Sequence, residues 1–162
     1  MAVYGFRPVK IVGLTENNKV LMKASTTITK YDPITLEYHD AGNHGEADLA
    51  IGGEGIFGVA METKTSTASG GEEIEILCGK DIVYEIDNDE DTNSFGATVG
   101  TGMGAGMVFD IQANPTTGTV LLDTSTGTAQ ITGASGQVVC INSEPDSADT
   151  SLGWFKINES QF

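Results

Sequence analysis

The stretch EEIEILC, residues 72–78, alternates Glu73 and Glu75 with Ile74 and Ile76. Successive side chains of an extended strand point to opposite faces, so a period of two puts carboxylates on one side and isoleucines on the other. That is the pattern of a strand half-buried in a sheet. Similar short apolar or alternating runs recur along the chain: VKIVGL, KVLMKASTTIT, EGIFGVAME, KDIVYEID, GMVFDIQ, GTVLLD, TAQIT, GQVVCIN and LGWFKIN. Between them lie DAGNHG, STASGG, DNDEDTN, ANPTTG and SEPDSADTS, whose residues favour turns. Short strands separated by turn signals predict a sandwich or a barrel. Residues 72–87 predict a hairpin turning near Gly79, and GEADLAIGG could hold a single helical turn.

At 162 residues the chain fits one domain with a sizeable core. The expectation is an all-β, single-domain antiparallel sandwich or barrel with an extended N-terminal arm. Residues 1–13 form either that arm or a first edge strand, and 14–162 form the body.

Charge is unevenly distributed within a net −15. Residues 1–30 carry five cations (Arg7, Lys10, Lys19, Lys23, Lys30) against Glu16, a balance of +4. The remainder carries three cations against 22 carboxylates, a balance of −19. Such a body repels nucleic acid and anionic membranes, so neither is expected as a partner. Cys78 and Cys140 sit among apolar residues and read as buried free thiols. No apolar run reaches the length of a membrane span or the core of a secretory leader, so synthesis and folding in a cytoplasm are expected.

The candidate chemical sites are weak. Asp87, Asp89 and Asp91 take alternate positions, as in a calcium loop, but Thr92 stands where the loop needs glycine and no closing glutamate follows. They read as an acidic turn in water, with a surface cation as the lesser alternative and no metal or other cofactor expected. Gly100, Gly102, Gly104 and Gly106 alternate strictly, which is not dinucleotide-loop spacing, and a strand follows them. His39 and His44 share a Gly- and Asn-containing loop with Asp40, Glu46 and Asp48, which would hold them too loosely for catalysis. No nucleophile–base–oxyanion set emerges, so the chain is not expected to be an enzyme. Trp154, Phe155 and Phe162 near the C-terminus are either core aromatics on a last strand or part of a subunit interface.

The most specific motif is YGFRPV, Tyr4 to Val9. It resembles the start of a family of tailed-bacteriophage head proteins, the decoration or cement proteins of the capsid shell. YDPITL at 31–36, GIFGVA at 55–60 and DIVYEIDND at 81–89 are compatible with that family's layout, with Tyr31 where glycine is common. The resemblance implies a virion structural protein on the outer capsid surface. It would commonly be a homotrimer, binding the major capsid protein and bridging neighbouring capsid subunits. Docking to the capsid or to a neighbouring subunit would then fall to Tyr4, Phe6, Arg7, Pro8, Val9 and Lys10. Tyr4 and Phe6 would be the apolar anchors, Arg7 the charged one, and Pro8 the stiffener that lowers the cost of ordering an arm. The alternative from another class is a carbohydrate- or calcium-binding β module using the 39–48 loop or Asp87 to Asp91.

Overall fold

Apolar residues at alternate positions need a second layer to cover them, and here the strands enclose two cores. The computed structural model describes residues 5–11, 16–37, 45–52, 54–79, 81–87, 106, 108–113, 120–122, 136–142 and 152–158. Within them are β1 (Arg7–Ile11), β2 (Glu16–Leu21), β3 (Thr27–Ile28), β4 (Pro33–Glu37), β5 (Glu46–Leu49), β6 (Gly58–Ala60) and β7 (Lys64–Thr65). There follow β8 (Glu73–Cys78), β9 (Ile82–Asp87), β10 (Val108–Phe109), β11 (Ile111–Ala113), β12 (Val120–Leu122), β13 (Val138–Asn142) and β14 (Leu152–Ile157). No helix occurs among the described residues. The fold is all-β, and every strand ladder is antiparallel.

One five-stranded sheet has the order β1-β9-β14-β13-β10, and another has the order β2-β8-β6-β4-β5. The second sheet curls: Met22, just past β2, bridges Ala47 of β5, and the Lys23 amide donates to Ala47 O at 3.0 Å. Its first and last strands therefore meet, enclosing a core of Met22, Ile28, Ile34, Ala47, Ala60, Ile74, Ile76 and Cys78. Alternation on β6 and β8 sends Val59 and Leu77 the other way. They join a larger core shared with Phe6, Tyr84, Phe109, Cys140 and Phe155 of the first sheet region. The central strands are thus apolar on both faces, which is why IEILC ends in three consecutive apolar residues. Gly58 is dictated by this crowding, because a Cβ there would come within 2.8 Å of Leu77 O and 3.0 Å of Cys78 Sγ.

Two sequence expectations change. Strands β8 and β9 do not form a hairpin: β8 pairs with β2 and β6, and β9 pairs with β1 and β14. Both edges of β8 are occupied, so β9 joins the other sheet. The GEADLAIGG segment holds no helical turn but β5, with Ala47 buried between Glu46 and Asp48. Cys78 and Cys140 are both buried, one in each core, and neither is in a disulfide.

Gln137 links the loop after β5 to the first sheet. It is fully buried, its Oε1 accepts the Ile111 amide at 3.1 Å, and its Nε2 donates to Ile51 O at 3.0 Å and to Glu54 O. Both of its N–H donors and its oxygen are engaged inside the fold, as buried amides require.

Candidate functional site

The second half of the YGFRPV motif, Arg7 to Val9, lies on an edge strand. Strand β1 pairs with β9 in the register Arg7↔Glu85, Pro8↔Tyr84, Lys10↔Val83 and Ile11↔Ile82, with a bulge at Val9 between Pro8 and Lys10. Of the two alternatives for residues 1–13, residues 7–11 take the edge strand rather than a free arm. Phe6 is 0% exposed and meets Tyr84 edge-on, with centroids 5.7 Å apart at 64°. Its ring is therefore a core group of this chain and not an exposed anchor. The physical reason lies just upstream: the Phe6 amide donates to Tyr31 O at 2.7 Å, which pulls the segment into the body. Tyr84 has its hydroxyl buried without a hydrogen-bond partner among the described residues, and burial pushes its phenol pKa up, with the nearby Cys78 adding to the rise.

Arg7 turns to the opposite face of the sheet, where its guanidinium meets the carboxylate of Glu85 directly across the ladder. Glu85 in turn stands opposite Trp154, and Trp154 opposite Asn142. A single row, Arg7–Glu85–Trp154, thus crosses three strands on the face away from the larger core. Beside it, Lys10 lies opposite Val83, Lys156 opposite Val139, and Val139 opposite Val108. Lys156 also reaches Asp81 at 3.3 Å. Val9 and Ile141, at 39% and 37% exposure, add apolar surface on β1 and β13. This face mixes apolar side chains with charged ones.

Trp154 and Phe155 separate by strand alternation. Phe155 is fully buried against Phe109 at 6.0 Å, so it is a core residue and not an interface one. Trp154 is half-buried on the outer face, its Nε1 screened from solvent without an acceptor among the described residues. Pro8 is half-buried and Lys10 exposed. Tyr4, Phe162, Asp89, Asp91, His39, His44, Gly100, Gly102 and Gly104 lie outside the described residues, and Asp87 is placed only as the last residue of β9. Asp48, from the histidine loop region, instead engages Lys23 at 2.6 Å, and Glu37 joins the same ammonium at 2.8 Å. Those contacts hold the Lys23 pKa well above its ordinary value, the Asp48 hydrogen bond contributing most.

The basic leading segment is therefore partly neutralised within the fold. Arg7 and Lys23 have carboxylate partners and Lys30 lies over the Tyr31 ring at 5.0 Å, while Lys10 and Lys19 are exposed. Among the described residues no group of three or more His, Cys, Asp or Glu side chains is placed to hold a metal ion.

Sequence reasoning missed two buried carboxylates, Glu85 and Asp32. Glu85 was legible as the outward residue between Tyr84 and Ile86, but not as the partner of Arg7, 78 positions away. Asp32 had a local signal, Thr29 three residues earlier and Pro33 next, the pattern of a side chain closing a turn. No protein-family model matches the sequence, and no curated protein matches it.

Proposed function

We propose that the chain is a non-catalytic structural protein of a tailed-phage virion, seated as a homotrimer on the outer capsid surface, where it bridges neighbouring capsid subunits. The observation that carries this reading is the opening YGFRPV, which resembles the start of the head decoration proteins. The fold is compatible with that role and redistributes the parts. With Phe6 in the core, docking falls to the groups that the motif leaves outside: Arg7, Pro8 and Val9, with Lys10 next to them. The half-buried Trp154 on the same face is the aromatic of the contact. A shell packed with nucleic acid is under outward pressure, and a subunit that buries surface across the joints of the shell opposes it.

The test is the solution mass by light scattering followed by sedimentation with assembled capsids of the same phage. A trimer that saturates assembled capsids and ignores unassembled capsid protein supports the reading. Failure to co-sediment at any concentration overturns it. Val9→Asp with Lys10→Glu should weaken retention by more than about 1 kcal/mol while leaving the fold unchanged, because both side chains are exposed.

A further inference from the structure

Of the two carboxylates buried among the described residues, Glu85 has Arg7 as a partner, whereas no cation pairs with Asp32 within that set. Asp32 is 1% exposed. Its Oδ2 accepts the Thr29 amide at 2.7 Å, and its own amide donates to Thr29 O at 2.9 Å. Its carbonyl accepts the Ala60 amide at 2.9 Å. The preceding Tyr31 has φ +77°, a left-handed conformation that strains a residue with a side chain and that the surrounding bonds must hold. Tyr31 donates to Ala60 O at 2.8 Å and accepts the Phe6 amide. Gly5 lies flat against the same turn, since a Cβ there would come 2.5 Å from Tyr31 O and 3.6 Å from the Asp32 nitrogen. The 29–32 turn is thus the point where the leading segment, β4 and β6 are tied together.

The charged groups on the elements around it are engaged elsewhere or exposed. Arg7 is held by Glu85, Glu37 at the far end of β4 by Lys23, and Lys30 projects over the Tyr31 ring. β6 brings Ala60 and β12 brings Val120, neither of them charged.

We propose that Asp32 is a proton-operated lock on the leading segment: with its carboxyl protonated the 29–32 turn holds Gly5 and Phe6, and with it ionised the turn opens and releases them more readily. The inference is independent of the capsid reading. Opening hydrates a carboxylate that the closed turn keeps from water, so ionisation favours the open form. Burial raises the carboxyl pKa from 3.8 to about 6, with the Thr29 and Val120 amides pulling the other way. The closed form therefore binds the extra proton between those two values, and closure tightens as pH falls through that window. A displacement of this size corresponds to a roughly hundredfold change in the opening constant.

The test is native-state hydrogen exchange of the Phe6 and Tyr31 amides from below the ordinary carboxyl value of 3.8 to mildly alkaline pH, corrected for intrinsic rates. It is paired with NMR titration of the Asp32 carboxyl in the unmodified chain. The expected result is a roughly hundredfold fall in opening on acidification, with a midpoint shared by the carboxyl, and a flat profile for Asp32→Asn. An opening constant independent of pH, an Asp32 carboxyl that titrates at the ordinary carboxylate value, or the same profile in Asp32→Asn overturns the proposal. Because the carboxyl is read in the unmodified chain, a variant that fails to fold does not protect it.

Discussion

Phe6→Ala tests whether the leading segment is part of the body. The ring is fully buried in the larger core, edge-on to Tyr84. Removing a buried phenylalanine ring costs about 3–5 kcal/mol, the lost transfer energy plus the cavity left behind. The edge-on contact with Tyr84 is one part of that sum. A cycle of Phe6→Leu with Tyr84→Leu should show a coupling of about 0.5–1.5 kcal/mol. With a urea slope of about 2 kcal/mol/M, the unfolding midpoint of Phe6→Ala falls by about 2 M while the slope stays the same. Urea unfolding followed by Trp154 fluorescence and by circular dichroism reads both quantities. A midpoint unchanged from the parent would refute the packing argument. If capsid retention were lost at the same time, Phe6 would be a docking group and the segment an arm.

Arg7→Met leaves Glu85, whose side chain is 9% exposed, without its guanidinium and should cost about 2–3 kcal/mol. Adding Glu85→Leu should recover most of that loss in the same urea experiment, and strictly additive losses would disprove the coupling. Gln137→Leu strips partners from the Ile111 amide and from the Ile51 and Glu54 carbonyls and should cost about 2–4 kcal/mol; a neutral outcome would show that water replaces the amide. Lys23 has its pKa raised in the folded state, so its contribution is complete below its ordinary value of 10.5 and is lost as pH rises through the folded one. Its partners are partly exposed, so the gap between parent and Lys23→Met should be under about 1 kcal/mol at neutral pH and close in strong alkali; a gap constant with pH would argue against the ion triad.

Strands whose alternation is self-contained were legible. EIEILC, QVVCIN and LGWFKIN each carry their own inward and outward residues, and each is a strand in the structure. Partners were not legible, because pairing depends on which edges are free. β8 and β9 look like a hairpin until β2 and β6 are seen to occupy both sides of β8. The same holds for the site. Arg7 stood out by charge, but that it would turn outward to Glu85 while Phe6 turned inward follows from the Tyr31 carbonyl that captures the Phe6 amide. The burial of Asp32 likewise depends on Ala60 and Val120, residues far along the chain, and nothing in YDPITL alone reveals it.

The way the two large sheets end decides how readily one copy of this chain could add a strand to another. A growing fibril recruits a new chain through a long, flat strand with a free row of amides and carbonyls. On the β1 side that row is interrupted by a proline that lacks an amide, a bulge at Val9, and the charge of Lys10. The opposite border, β10, spans only Val108 and Phe109, and the curled sheet joins its own ends at Met22 and Ala47. Among the described residues, the two large sheets therefore offer poor templates for strand addition. Copies of this chain can be packed side by side at high local concentration, meeting through side chains on their faces, without being drawn into a shared sheet.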